Sequence, residues 1–197
     1  MQVTAAAKAR RDEIIAATLT VLARDGYAGT SFKRIVDEAG LSSTRLISYH
    51  FDGKEELLLA VLRTVAERGA EAMRAAMAIE HTMAGRLAAY IRANLEFLGG
   101  DPVYAPALAE IIHNLRAWRS EPGGDADIAV EQLAGLLRVG QTTREFGDFD
   151  PVVMAVAIRA SIDAVALRLA ARPGLDLAHH IDELLAIYRA ATERSSS

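Results

Sequence analysis

The sequence predicts an all-α protein in which an N-terminal three-helix unit of the helix–turn–helix kind precedes a larger helical bundle. Three observations predict it. No stretch shows the period-two alternation of a half-buried strand. The 197-residue chain is 51% apolar but only 6% aromatic and has five prolines, with alanine, the best helix former, recurring throughout. The punctuation is helical: Ser, Thr or Asp precedes several apolar-periodic segments and Gly follows others. A chain of this length buries a sizeable core without covalent staples.

The first helix is expected over Lys8–Asp25, with Ile14, Val21 and Leu22 on one face and Gly26 as its stop. Thr30 or Ser31 caps a second helix, Phe32–Ala39, which Gly40 ends. Ser42 or Ser43 caps a short third helix, Thr44–Tyr49. Asp52 caps the fourth, with Glu55 in the reciprocal capping-box position, and that helix runs from Lys54 to Ile79. Helices follow over residues 83–98 and 103–118, then a glycine-rich break at Glu121–Asp125, a helix over 126–139 and a loop from Gly140 to Asp150. Asp150-Pro151 is a cap followed by a first-turn proline. It opens a helix to Ala171, stopped by Arg172-Pro173-Gly174, and the last helix spans Leu177–Glu193. Residues 1–53 form the small domain and 54–197 the helical remainder, with 54–79 connecting them. Ser195–Ser197 reads as a frayed end.

The formal net charge is −4, but it is unevenly placed: residues 1–57 carry eight basic and eight acidic residues, including all three lysines, and the remainder carries 14 and 18. A phosphate partner responds to local placement, so the total leaves DNA open. No apolar run approaches the roughly 20 residues of a membrane span. The N-terminal Lys8, Arg10 and Arg11 precede no apolar segment, unlike a secretory signal. A soluble, cytoplasmic chain with no membrane partner is expected. With no cysteine, disulfides, thiolate catalysis and Cys-ligated metals are excluded.

The first three helices occupy residues 8–50, and Gly40-Leu41-Ser42-Ser43 joins the second to the third, the tight turn of a helix–turn–helix. Ile14, Val21, Leu22, Phe32, Ile35, Val36, Ala39, Leu41, Leu46 and Tyr49 are expected to fill one miniature core. The third helix then shows Thr44, Arg45 and Ser48 outward, with Ser43 at its start. A helix about 10 Å across fits a major groove roughly 12 Å wide. Arg45 is placed for a bidentate contact to a guanine edge, and Lys33, Arg34 and Lys54 for flanking phosphates. The plainer alternative is a packing unit with a solvated charged face.

Residues 14–62 resemble the DNA-binding domain of the TetR family of transcriptional regulators. The matching pieces are Ala23…Gly26-Tyr27…Thr30-Ser31, then Ile35…Ala39-Gly40-Leu41-Ser42, then Tyr49-His50-Phe51…Lys54-Glu55-Glu56-Leu57. The resemblance implies a regulator, in most such proteins a repressor, that binds an operator in double-stranded DNA as a homodimer and is released by a small-molecule effector. It places Tyr49, His50 and Lys54 at phosphates, while His50 serves equally well as a cap or packing group. The full set assigned to the DNA face is Thr30, Lys33, Ser43, Thr44, Arg45, Ser48, Tyr49, His50 and Lys54. One departure stands out: Gly40 to Phe51 is one position longer than the family's usual spacing, and one residue turns a helical face by about 100°.

In the C-terminal half, Ile158, Ile162, Val165 and Leu169 form a stripe on one helix, and Ile181, Leu184 and Tyr188 on the next. Paired with a second copy they make a four-helix dimer interface; unpaired, they are intrachain core. A pocket for a small, mostly apolar effector is assigned to Met83, Tyr90, Phe97, Tyr104, Ile111, His113, Asn114, Trp118, Phe146 and Met154. Catalysis, a metal and a cofactor are not expected. There is no Gly-x-Ser-x-Gly elbow and no phosphate-binding glycine loop. Glu110-x-x-His113 has the spacing of a di-iron ligand pair but no second copy, and the adjacent His179 and His180 diverge on a helix.

Overall fold

A computed structural model describes residues 5–114, 125–172 and 174–194, and every element among them is helical. The elements are α1 (Ala5–Gly29), α2 (Phe32–Ala39), α3 (Arg45–His50), α4 (Gly53–Ala78), α5 (Met83–Gly100), α6 (Tyr104–Asn114), α7 (Asp125–Thr142), α8 (Pro151–Ala171) and α9 (Leu177–Thr192). No helix among the described residues is long and apolar enough to cross a membrane.

The chain divides into two compact units, and not at residue 53. One, the head, holds α1, α2, α3, α4 as far as Glu67, and α6. The other, the bundle, holds α4 from Arg68 onward, α5 and α7–α9. The division follows packing: α6 lies against α1. Ile111 and Ala107 of α6 are fully buried, as are Ile14, Val21, Leu22, Ile35, Ile47, Leu57, Leu58 and Val61 of the head. The bundle's core is Leu87, Ile91, Leu95, Leu137, Ile158, Ile162 and Ile181.

Local sequence accounts for the helix ends. Gly26 (φ 68°) breaks α1, after which one further turn reaches Gly29. Ser31 caps α2 by accepting from the Arg34 N–H, and Gly40 closes it in the left-handed conformation (φ 64°). Asp150 accepts from the N–H groups of Val152 and Val153 at 2.8 and 3.1 Å, with Pro151 behind it. At the start of α4 the reciprocal carboxylate is Glu56, not Glu55: it accepts from the Asp52 N–H. Gly53 takes a positive φ (91°). The helical register therefore begins one residue later than a cap at Asp52 would set it.

Candidate nucleic-acid interface

Gly40–Thr44 separate α2 from α3. The Ser43 hydroxyl accepts from the Arg45 N–H at 3.1 Å and sets the first turn. Ile47 points inward and is fully buried, and Phe51 behind it is 2% exposed. This corrects the expectation for Tyr49, which is 80% exposed rather than core. Residues two apart on a helix face about 200° away from each other, so Ile47 in means Tyr49 out. Thr44, Arg45 and Ser48 share the outer surface with Tyr49, while Ser43 and His50 are half-buried.

Side chains from other elements fasten this helix. The Arg11 guanidinium donates to the His50 carbonyl at 2.7 Å and lies 4.1 Å over the Phe51 ring. It also approaches Glu56 at 3.7 Å. Arg11 therefore closes the end of α3 and was not singled out in the sequence; its only signal was the basic cluster with Lys8 and Arg10. A second set of contacts surrounds the break in α1. Glu110 of α6 accepts from the Tyr27 N–H at 2.7 Å, so the Glu-x-x-His spacing marked the right residue for a different task. Lys54 donates to the Tyr27 carbonyl at 2.6 Å and sits 3.9 Å from the Tyr27 ring centre. The Thr30 hydroxyl donates to the Gly26 carbonyl at 2.7 Å.

Two residues assigned to the DNA face are thereby turned inward. Thr30 is 3% exposed. Lys54 spends its ammonium on the end of α1, and burial lowers its pKa. Among the other cations, Arg34 pairs with Asp25 at 2.9 Å and Arg24 with Glu38 at 2.7 Å. The hydrogen bond from Arg24, aided by Arg34, holds the Asp25 carboxyl below the usual carboxylate range. Lys33 and Arg45 are exposed and have no ion-pair partner among the described residues. They are the cations left to an outside anion on α2 and α3.

The residues assigned to an effector pocket are shared between the two units. Tyr104, Ile111, His113 and Asn114 belong to the head: Ile111 is core, and His113 and Asn114 are exposed, with the Asn114 amide donating to the Glu110 carbonyl at 2.8 Å. Trp118 lies outside the described residues. In the bundle, Tyr90 is buried and its hydroxyl accepts from Arg159 at 3.3 Å. Phe146 is packed so tightly on Gly140 that a Cβ there would come within 2.1 Å of its ring. Phe97 lies against Gly69 in the same manner, and Met154 is half-buried. Met83 alone of the set lines an open cleft of about 400 Å³, shared with residues not foreseen: Arg74, Met77, Arg86, Gly135 and Val139 among them.

The dimer assignment needs the same correction. Ile158, Ile162, Val165, Ile181 and Tyr188 are buried within the bundle itself, Leu169 and Leu184 half-buried. The Tyr188 hydroxyl bonds to Ser161 at 2.6 Å. The stripe with the strongest apolar signal is the one the chain uses for its own core. The large apolar residues of α8 and α9 that remain exposed are Val153 (64%), Val156 (50%), Leu167 (55%) and Ile187 (54%).

Comparison with known proteins accords with this geometry. Residues 14–61 match the sequence profile of "Bacterial regulatory proteins, tetR family". The HTH-type transcriptional regulator RutR of Escherichia coli (strain K12) is 26% identical over 171 residues, 77% of this chain and 80% of that protein. The crystal structure of a putative transcriptional regulator from Pseudomonas aeruginosa PAO1 is 26% identical, with a TM-score of 0.77 over 93% of this chain and 90% of that one. That of the transcriptional regulator FadR from Bacillus subtilis, in complex with stearoyl-CoA, has a TM-score of 0.80 over 89% of this chain and 96% of its own, at 22% identity. At that identity it shows the shared fold.

Proposed function

We propose that this chain, whose residues 14–61 match the TetR family of bacterial regulatory proteins, is a DNA-binding regulator of transcription that acts in the cytoplasm as a homodimeric repressor, seated on a palindromic operator and released by a small-molecule effector. The observation that carries the reading is the outer surface of α3. Thr44, Arg45, Ser48 and Tyr49 are presented together, Arg45 carries no internal counter-charge, and Ile47, Phe51 and Arg11 hold the helix from behind. Arg45 reads a base edge, and Lys33 meets the backbone. Tyr49 joins them at the backbone, its exposed hydroxyl a donor to phosphate.

Exposed Val153, Val156, Leu167 and Ile187 support a second copy docking on α8 and α9. Two heads then address half-sites about one helical turn, roughly 34–36 Å, apart. The effector is assigned to the bundle, and the Bacillus subtilis regulator of the same fold, in complex with stearoyl-CoA, supports a small-molecule effector as such. The chain passes between bundle and head along α4 and through the α5–α6 connection. Glu110 on α6 grips the α1 corner directly. An effector releases DNA only so far as it binds the non-matching arrangement of heads more tightly.

Selection of fragments from a random duplex pool by the purified protein tests the reading. Expected are palindromic sequences with half-sites one turn apart. Enrichment of no sequence, or of single unpaired half-sites, rejects it.

A further inference from the structure

We propose that Arg11 is a positioning residue for the DNA face: by holding the last turn of α3, it sets Tyr49 against the phosphate backbone. The proposal rests on the regulatory reading above and adds to it a residue of α1 that acts through α3. Three contacts of one guanidinium carry it. It donates to the His50 carbonyl at 2.7 Å, lies 4.1 Å over the Phe51 ring and stands 3.7 Å from Glu56. These partners are the last residue of α3, the residue that ends it and the first turn of α4.

The end of α3 needs such a holder. The helix has six residues, and the chain leaves it at Phe51 in an extended conformation (φ −140°). The last carbonyls of a helix have no helical N–H ahead of them, so the His50 carbonyl depends on a donor from elsewhere. The other end is set from within, where the Ser43 hydroxyl accepts from the Arg45 N–H at 3.1 Å. Arg11 is in turn steadied by Glu56, whose carboxylate also accepts from the Asp52 N–H. One polar network thereby joins α1, the end of α3 and the start of α4.

Tyr49 is the side chain that this end presents. It is 80% exposed, and its ring stands edge-on to that of His50, with 5.1 Å between centres. The carbonyl that Arg11 holds belongs to the same neighbour. The Tyr49 hydroxyl lies at the far end of a long, rigid side chain, so a small tilt of the last turn carries it out of hydrogen-bond range of a phosphate. Arg11 is not itself the phosphate contact: its charge is directed at Glu56, and its plane covers the ring of Phe51.

Binding of the full chain to a mixed-sequence duplex in dilute salt tests the proposal, because a phosphate contact needs no operator. In the parent, Tyr49→Phe is expected to weaken binding about fivefold, the net value of one hydrogen bond. In Arg11→Met, which keeps an unbranched stem and removes every donor, the same change should have no effect. In Arg11→Lys, which offers a donor without the planar fork, the loss should fall between the two. Lys33→Ala on α2 should lose the same factor in every background, and Arg11→Met should keep the parent's salt slope. A merely structural role lowers all these affinities together and leaves their ratios untouched. The proposal is overturned by a Tyr49→Phe loss as large in Arg11→Met as in the parent, by no such loss in the parent, or by a changed Lys33 factor. A salt slope smaller by about 1 in Arg11→Met, the mark of a direct phosphate contact, overturns it as well. Should Arg11→Met fail to fold, Arg11→Lys decides, and an undiminished Tyr49→Phe loss there overturns the proposal. A parent that binds no duplex overturns the regulatory reading itself, and the proposal with it.

Discussion

The head and the bundle hold themselves together by different means. In the head, α2 and α3 have eight and six residues. A helix that short has more unpaired end groups than internal hydrogen bonds. Its geometry therefore depends on side chains reaching in from elsewhere: Arg11 to the end of α3, Ser31 to the start of α2, and Lys54, Thr30 and Glu110 to the α1 corner. In the bundle, α5, α7, α8 and α9 have 16 to 21 residues, and apolar stripes position them. Polar fastening in one unit and apolar packing in the other lead to different expectations for substitution.

The largest effect is expected in the bundle core. Ile158→Ala removes a fully buried side chain and should cost about 2–5 kcal/mol, read as a lowered urea midpoint. Two residues away, Val156→Glu alters a half-exposed position. It should leave monomer stability within about 0.5 kcal/mol, yet shift the protein from dimer to monomer in sedimentation. An Ile158→Ala protein as stable as its parent, or a Val156→Glu protein that remains dimeric, would erase the distinction between inner and outer stripes.

That distinction was the part least legible in the sequence. Helix existence was legible nearly throughout, because caps and glycine stops act locally: Ser31, Gly40, Asp150 and Pro151 do what their types predict. Which side of a helix faces its own chain is set by packing. On α8 both sides carry aliphatic residues, Ile158 and Ile162 on one and Val153 and Val156 on the other, so periodicity alone could not choose. The same limit moved Tyr49 outward. Both Ile47 and Tyr49 suit a core, and only the packing of α3 on its neighbours settles which one enters. Glu110 and Arg11 reach their partners across 83 and 39 residues of sequence, a separation no local pattern records. Arg45, Thr44 and Ser48 were legible because a polar side chain on a helix this small has nowhere to point but out.

A middle-sized effect is expected at the head's α1 corner. Glu110→Ala strips the Tyr27 N–H of its acceptor and should cost the head about 1–3 kcal/mol, with faster exchange of that amide. Glu110→Gln, whose carbonyl still accepts, should recover most of the loss. If the alanine variant leaves both melting and exchange unchanged, the polar corner does not hold the head, and the contrast with the bundle weakens.

The exposed cations divide the head further. Arg45→Ala should lose about 1–3 kcal/mol of discrimination between operator and random DNA while barely changing stability. Lys33→Ala should weaken all sequences alike and reduce the salt slope by about 1. Equal loss on both kinds of DNA for Arg45→Ala would remove it from base reading and leave it as a backbone contact.

The smallest effect belongs to Asp25, which joins α1 to α2 through Arg24 and Arg34. Its carboxyl is held below the usual range, chiefly by the Arg24 hydrogen bond. Its contribution is therefore complete above the unfolded-state pKa and is lost as pH falls through the lower folded-state value. Asp25→Asn should lower the urea midpoint slightly at neutral pH, and the two proteins should converge in strong acid, where the parent's carboxyl is protonated. Salt should narrow the neutral-pH gap as well, because the pair is solvent-facing. A gap that persists unchanged into acid would mean that the amide disturbs packing between α1 and α2, and that even this exposed joint of the head is held by shape and not by charge.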